Sequence, residues 1–314
     1  MDPFLMVGYH DDWLPPAREL KEAPGFPQHP HAGFETITIT IDAMVDHADS
    51  LGGSGRYGNG DTQFMCAGRG ISHSEMAGLQ SWESGNGGAL FQLWLSLPSK
   101  AKRCAPATRM LWHEDVPIKV SDGVEIKTIV GPGQAASLPP DSWAADPANN
   151  VQILIVTLAP GARCVLDRLS TDASTLAAYP FEGALACGGV LVPERHAAVV
   201  TGAPDLENRG DAPARVLILE ANPINEPVVA RGPFVANSRS ELMKMSDDYR
   251  AGRFAAWPWP SEGPSHGTKP RFYDDPTTQT HEERGDPITL YAPGPPSYLP
   301  SLLGRLARRR RDEY

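Results

Sequence analysis

Glycine and proline interrupt this chain throughout its length and leave only short apolar runs between them. The sequence of 314 residues contains 30 glycines and 31 prolines. Both residue types mark turns, because proline lacks a backbone donor and glycine adopts backbone conformations that other residues avoid. The chain is therefore expected to fold as many short strands joined by turns, which is an all-β fold.

Eight apolar segments have the length and composition of β-strands. In the first of them, Ile37, Ile39 and Ile41 alternate with threonines, which is the period of two expected for a strand with one buried face. The predicted strands are residues 35–45, 62–66, 89–97, 124–130, 151–158, 188–192, 196–200 and 215–221.

The order of these segments indicates two related halves. A turn at Gly60 and Asp61 precedes strands that end in ALFQLWLSLP, and a turn at Gly210 and Asp211 precedes RVLILEANP. This weak repetition predicts two β-barrels in tandem. We assign residues 1–120 to an N-terminal domain and residues 121–257 to a C-terminal domain, with the crossover inside residues 111–147.

The segment after the second predicted barrel changes character. Ser238 and Glu241 have the spacing of a capping box, which predicts a short amphipathic helix over residues 240–251. The composition then turns polar and proline-rich, so residues 258–314 are expected to form a tail with little fixed structure from about Ser261 onward. The end of the tail is basic and contains Arg305, Arg308, Arg309, Arg310 and Arg311. Such a segment is compatible with a solvated tail, a nuclear localisation signal or a surface-binding arm.

Charge and composition argue against several classes of protein. The formal net charge of −10 argues against a broad surface for nucleic acid. The sequence has no run of about 18 apolar residues and no basic segment followed by an apolar one at its start, which predicts an intracellular protein, cytoplasmic or nuclear. The sequence has no CxxC pair, so it predicts neither a disulfide framework nor a thiolate zinc site. We expect reduced, mostly buried thiols at Cys66, Cys104, Cys164 and Cys187.

Two pairs of metal-binding residue types occur with a spacing of two. His29 and His31 precede the first predicted strand, and His73 and Glu75 follow a glycine-rich turn. Side chains two apart on a strand share a face, so two such pairs on neighbouring strands would gather three imidazoles and one carboxylate around one point. A single histidine is usually a surface or hydrogen-bonded residue, but two pairs are harder to explain without a metal. These four residues are the predicted ligands.

The ligand types narrow the choice of metal. Imidazole suits Fe, Ni, Cu and Zn, while an added carboxylate and two open positions favour a six-coordinate ion such as Fe(II), with Mn(II) and Ni(II) as alternatives. Structural zinc prefers a closed site with thiolates, which the cysteine spacing does not offer. Open positions would admit a bidentate substrate or O₂.

Other polar residues near the two pairs carry weaker predictions. His47 and Asp49 would either support the ligating histidines or be solvated loop residues, and the sequence leaves both alternatives open. Gln63 and Met65 are assigned to packing. No role is assigned to His113, His196, His266 and His281, which have no partner at metal-binding spacing.

Several segments taken together resemble the pirin family of the cupin superfamily. They are HPHAGFETITIT, HADSLGGSGRYGNGDTQFMCAGRGISHSEM, LFQLWLSLP and EPVVARGPFVANSRSEL, and the resemblance extends over residues 2–257. It implies a bicupin of two facing jelly-roll barrels, with a metal in the N-terminal barrel and no complete metal site in the C-terminal one. By motif, His29, His31, His73 and Glu75 match the iron ligands of the family.

The chain departs from the family pattern at three places. Ala32 stands where the family usually has arginine, so a charge near the entrance to the metal site is expected to be missing. Phe64 replaces the usual tryptophan. The sequence begins at the Asp-Pro-Phe-Leu motif, whereas relatives carry one or two strands before it, and this would leave a sheet edge unpaired unless another segment covers it.

The ligand set and the resemblance lead to three functional hypotheses. The first is a mononuclear Fe(II) dioxygenase of the quercetin 2,3-dioxygenase type, acting on a flavonol or related phenolic with O₂, with Mn, Ni, Cu or Zn as substitute metals. In it, Glu75 would also accept the hydroxyl proton of the substrate. The second is an iron-binding nuclear co-regulator without turnover, whose partner would be a transcription factor. The third is an accessory oxygenase of secondary metabolism.

Overall fold

The computed structural model describes residues 1–12, 14–17, 23–81, 83, 85–170, 174–267 and 269–285. The chain divides into one unit, Met1–Glu283, and a second, Arg284–Tyr314, of which residues 284 and 285 are described. The basic run near the C-terminus lies outside the described residues. Strands dominate the described part, as the distribution of glycine and proline predicts, and none of its helices is long and apolar enough to cross a membrane.

Nine strands in the first third of the chain build the N-terminal barrel. They are β1 (Phe4–Asp11), β2 (Gly25–His31), β3 (Phe34–Thr40), β4 (Met44–Asp49), β5 (Ser54–Gly58), β6 (Thr62–Cys66), β7 (Ile71–Ala77), β8 (Ala89–Ser96) and β9 (Ala107–Leu111). One sheet has the order β1-β8-β3-β6-β9, and the other contains β2-β7-β4-β5. The segment predicted as one strand over residues 35–45 is divided between β3 and β4, because the chain turns at Asp42, whose carboxylate accepts a hydrogen bond from the Ala89 amide at 2.7 Å.

The next ten strands build the C-terminal barrel. They are β10 (Ile118–Ser121), β11 (Val124–Val130), β12 (Gln152–Leu158), β13 (Arg163–Val165), β14 (Thr175–Glu182), β15 (Leu185–Cys187), β16 (Val190–Val192), β17 (Ala198–Val199), β18 (Asp205–Glu207) and β19 (Ala214–Ala221). Its sheets have the orders β10-β11-β12-β19-β14-β17 and β13-β18-β15-β16. Aliphatic side chains such as Leu154, Val156 and Leu206 fill the space between these sheets. Strand β10 begins before the domain boundary predicted at residue 121, and that boundary stays a prediction.

An apolar core joins the two barrels. Ile37 and Ile39 of β3 face the C-terminal barrel and join a buried cluster that includes Ile153 and Leu217. The threonines of β3 point the opposite way, into the N-terminal barrel, where Thr38 contacts polar side chains. All seven residues of β3 are therefore buried, whereas the alternation predicts one buried face. The second face is buried because the two barrels pack against each other.

A hairpin and one helix follow the second barrel. The strands are β20 (Val229–Arg231) and β21 (Phe234–Ala236), and the helix is α1 (Arg239–Arg250). The hydroxyl of Ser238 accepts a hydrogen bond from the Glu241 amide at 3.3 Å, so the helix begins at the predicted capping residues. The helix packs its Leu242 and Met245 into a buried cluster with Phe234.

Two further strands extend the N-terminal barrel. β22 (Arg271–Asp275) and β23 (Thr280–Arg284) continue the sheet of β2 beyond β5, and Tyr273 lies opposite Gly55. This corrects the expectation of little fixed structure from about Ser261, for residues 261–267 and 269–285; residues 286–314 lie outside the described residues. The strands form because β5 offers an open edge and β22 buries Arg271, Phe272 and Tyr273. An added segment thus covers this sheet edge.

Candidate metal centre

Three histidines meet between β2 and β7. His29 and His31 lie on β2, and His73 lies on β7 directly opposite His29. One ring nitrogen of each histidine lies within 4.8 Å of those of the other two. The ring centroids are 4.4 to 4.9 Å apart. The structure therefore brings the three predicted imidazoles to distances at which they can share one metal ion.

Strand β2 presents both histidines because it is an edge strand interrupted by prolines. Pro27 and Pro30 lack the amide donor that a central strand would need, and such residues are tolerated at a sheet edge. The ring Nδ1 of His29 donates a hydrogen bond to the Pro27 carbonyl oxygen at 2.8 Å. This contact fixes the tautomer of His29 and leaves its Nε2 free to bind a metal.

Burial keeps the inner histidines neutral. It lowers the pKa of His31 to about 3, with a smaller contribution from His29. Burial also lowers the pKa of His73 well below its usual range, and His29, His31 and His47 add to the effect. Both ring nitrogens of His73 are buried without a hydrogen-bond partner. Neutral imidazoles with unsatisfied nitrogens are the donor set that a transition metal binds, so the residues fit such an ion.

Glu75 lies beside the three histidines and outside their close group. Its Oε2 is 3.9 Å from Nε2 of His73. Oε2 also accepts a hydrogen bond from Nε2 of Gln92 at 3.0 Å, and the Thr38 hydroxyl donates to Oε1 at 3.0 Å. Side chains from β3 and β8 therefore hold the carboxylate at the edge of the site. Its position suits a fourth ligand or a proton acceptor.

Gln92 is a positioning residue that the sequence analysis did not identify, and its effect on the metal site can be measured. Gln92→Leu is expected to weaken metal binding by roughly 10- to 100-fold, because Glu75 loses one of the two donors that orient it. Competition with a coloured chelator measures the affinity. Gln63→Leu is the matched control, since Gln63 is buried in the same barrel and contacts Tyr57 rather than Glu75. Equal affinities for the two variants would contradict the assigned role.

His47 and Asp49 lie on β4, and they are not solvated loop residues. Both are buried, and Nε2 of His47 is 3.3 Å from Oδ2 of Asp49. The other carboxylate oxygen of Asp49 accepts hydrogen bonds from the amides of Leu51 and Gly53. The His47 ring lies 5.7 Å from the ring of His73. The Asp49 carboxylate therefore anchors His47, which packs against a candidate ligand.

A cavity of about 620 Å³ opens beside the histidines. His29, His31 and Glu75 form part of its wall, while His73 is fully buried and does not line it. Most of the remaining wall is apolar, which is typical of small-molecule sites of this size. The apolar and aromatic side chains that line it include Phe26, Met44, Met76, Leu90 and Trp94.

A second group of acidic and imidazole side chains is already occupied by an arginine. Asp61, His113 and Glu114 lie close enough together to hold a cation. The Arg271 guanidinium, from β22, is 2.8 Å from Asp61 Oδ1 and 3.1 Å from His113 Nδ1, and it also contacts Glu114. Arg271 and His113 lie 158 positions apart, so no short sequence pattern predicts their contact. This group anchors β22 to the barrel.

Ala32 does not line the cavity. It is fully buried in the cluster of Phe234, Leu242 and Met245. The neighbouring Gly33 has a φ of +85°, and a Cβ at that position would lie 1.8 Å from the Val235 carbonyl oxygen, so the chain requires glycine there. The second half of the chain therefore packs over this turn, and the effect of the missing arginine on the entrance to the site stays a prediction.

The remaining residues named from the sequence lie away from the three histidines. Phe64 is buried in the core between the barrels, and Met65 is buried as well. His266 contacts the His47 carbonyl oxygen through Nε2 at 3.0 Å. His196 lies on the surface of the C-terminal barrel and contacts the Glu194 carbonyl oxygen at 3.0 Å. None of these four residues reaches the three-histidine group.

Known proteins share this sequence pattern and this fold. The family model described as Pirin matches residues 1–95, and the one described as Pirin C-terminal cupin domain matches residues 153–255. A pirin-like protein of Solanum lycopersicum is 34% identical over 81% of this chain and 82% of its own. A putative quercetin 2,3-dioxygenase of Pseudomonas aeruginosa is 36% identical over 81% of this chain and 87% of its own. Among solved structures, quercetin 2,3-dioxygenase from Acinetobacter baumannii has a TM-score of 0.70 at 28% identity, covering 81% of this chain and 86% of that one. With both domain models matched and relatives this similar along most of its length, the chain belongs to the pirin family.

Proposed function

We propose that this protein is a metal-dependent dioxygenase of the quercetin 2,3-dioxygenase type, with one Fe(II) ion held by His29, His31, His73 and Glu75. The observation that carries the proposal is the group of three histidines, two of them kept neutral by burial, with a carboxylate beside a largely apolar cavity. The similarity to a putative quercetin 2,3-dioxygenase supports the same type of chemistry.

The substrate we propose is a flavonol or a related planar phenolic. A cavity of about 620 Å³ accommodates a small multi-ring molecule. Trp94 and Phe26 offer aromatic faces on which such rings can stack, and Met44 and Met76 offer adaptable apolar contacts. The polar groups of the wall, which include Glu75, would meet the hydroxyl groups of the phenolic. Binding in this cavity would remove the reacting rings from water.

A bound iron ion would supply Lewis acidity toward the phenolic oxygen and a route for electrons to O₂. The protein side chains would hold the ion and accept a proton from the substrate. Glu75 would accept the proton of the substrate hydroxyl, since its carboxylate lines the cavity. Thr38 and Gln92 would keep that carboxylate in place through the hydrogen bonds that they already make.

Oxygen uptake by the iron-loaded protein tests the proposal. With a panel of flavonols, we expect oxygen consumption and loss of flavonol absorbance in equal amounts. Glu75→Gln, which keeps the size of the side chain but removes the base, is expected to lower the turnover rate by about 100-fold or more. His196→Ala, on the surface of the other barrel, serves as the control and should keep the wild-type rate. No uptake with any flavonol at stoichiometric iron would refute the proposal.

A further inference from the structure

Two of the four cysteines lie in contact with each other. The Sγ atoms of Cys66 and Cys104 are 3.5 Å apart, although the residues are 38 positions apart in the sequence. Cys66 ends β6 and is fully buried, while Cys104 lies between β8 and β9 and is partly buried. The fold brings these thiols together, which the absence of a CxxC pair did not predict.

We propose that Cys66 and Cys104 form a reversible disulfide, and that this bond is a redox modification site adjoining the metal centre. The sulfur atoms need to approach from 3.5 Å to about 2.0 Å. The disulfide itself does not depend on the proposed dioxygenase activity, whereas its effect on the metal centre rests on the proposed metal site.

The segment that carries Cys104 contacts two turns beside the candidate ligands, one after His31 and one before His73. The Cys104 carbonyl oxygen accepts a hydrogen bond from the Arg69 amide at 2.9 Å, in the turn that precedes β7 and His73. The Lys102 ammonium donates to the Gly33 carbonyl oxygen at 3.1 Å, two residues after His31. A bond between Cys66 and Cys104 would therefore fix this segment against the turn before His73.

The packing around the thiols is already close. Gly68 follows Cys66 by two residues and has a φ of +47°. A Cβ there would lie 2.4 Å from the Cys104 carbonyl oxygen and 2.8 Å from its Sγ. A disulfide at this place thus requires a local adjustment of two segments that are in contact, and no large movement of the chain.

The two thiols are suited to different steps of the oxidation. The hydrogen bond from Cys66 lowers the pKa of Cys104, whereas that same contact and burial raise the pKa of Cys66. Cys104 is also the more accessible of the two. We therefore assign Cys104 as the thiol that meets the oxidant and Cys66 as the resolving thiol.

With hydrogen peroxide as the oxidant, the reaction balances in two steps. The Cys104 thiolate attacks one peroxide oxygen, the O–O bond breaks, and a sulfenic acid forms, while the departing hydroxide takes up the proton that the Cys104 thiol released and leaves as one water. The Cys66 sulfur then attacks the Cys104 sulfur, the S–O bond breaks, and a second water leaves with the Cys66 proton. Overall, two thiols and one peroxide give one disulfide and two waters.

The remaining cysteines provide an internal control. Cys164 of β13 and Cys187 of β15 both pair with Leu206 of β18, one from each side. Two strand spacings of about 4.8 Å therefore separate them. This distance exceeds the Cα separation of about 7 Å beyond which two cysteines cannot be bridged.

The test treats the full-length, reduced protein with hydrogen peroxide and measures its intact mass and its non-reduced peptides. We expect the loss of two hydrogens, a linked peptide pair that contains Cys66 and Cys104, and reversal by dithiothreitol. Cys104→Ser and Cys66→Ser should each abolish the link, and a Cys164→Ser/Cys187→Ser variant should keep it. Peptide pairs that link other cysteines, links only between two chains, or four unlinked thiols after oxidation would overturn the proposal.

A second measurement tests whether the bond acts on the metal centre. Transfer of Ni(II) or Fe(II) from the protein to a chelator is expected to be several-fold slower for the disulfide form than for the dithiol form. The Cys104→Ser variant should show one rate before and after peroxide. Equal rates for the oxidised and reduced wild-type protein would overturn the coupling to the metal centre.

Discussion

His73→Leu is expected to remove the metal-dependent stabilisation of this protein without destabilising the metal-free form. His73 is fully buried, and neither of its ring nitrogens has a hydrogen-bond partner. A buried polar group without a partner costs about 1–3 kcal/mol, so a leucine of similar size should leave the metal-free protein at least as stable as the wild type. Wild-type protein at 1,000 times the dissociation constant of its metal should gain about 4 kcal/mol, and the variant should gain none.

Unfolding in urea, with and without Ni(II) or with anaerobic Fe(II), measures both effects. His196→Leu is the control, because His196 is exposed on the other barrel, and its response to metal should equal that of the wild type. A metal-dependent shift that survives in His73→Leu would contradict the assignment of His73 as a ligand. A large loss of stability of the metal-free variant would show that the histidine stabilises the core by itself.

The candidate site was readable from the sequence because its central residues follow the period of a strand. His29 and His31 share a face of β2, and His73 and Glu75 share a face of β7, whatever the rest of the fold does. The supporting side chains have no such local signal. Gln92 reaches Glu75 from β8, and this contact depends on which strands the barrel places on opposite sides of its interior.

The same distinction applies to the fold. Residues 62–66 and 124–130 form the predicted strands, and the helix begins at the predicted cap Ser238, because alternation and capping act over a few residues. The division of residues 35–45 into two strands depends on a hydrogen bond between Asp42 and Ala89. Strand β22 is short and follows a polar, proline-rich segment, so its pairing with β5 has no signal in its own composition.

Arg271→Met tests what holds β22 in place, and we expect it to lower the free energy of unfolding by about 3–5 kcal/mol. Arg271 and Asp61 are both buried, with the guanidinium 2.8 Å from Asp61 Oδ1. Methionine would fill much of the space of the arginine stem but would leave the Asp61 carboxylate buried without its cation. Urea unfolding measures the loss, and amide hydrogen exchange should locate it, with faster exchange in β22 and in the edge of β5 that β22 covers.

Arg250→Met is the matched control, since it removes the same group from an exposed ion pair with Asp247. Exposed pairs contribute little, so this variant should stay within about 1 kcal/mol of the wild type. Similar losses in the two variants would show that β22 is held by backbone pairing and by the packing of Phe272 and Tyr273 alone. A large loss confined to Arg271→Met would establish that the buried ion pair of Arg271 and Asp61 fastens β22 to the barrel that carries the candidate metal centre. The stability of that barrel would then depend on a residue outside both family domains.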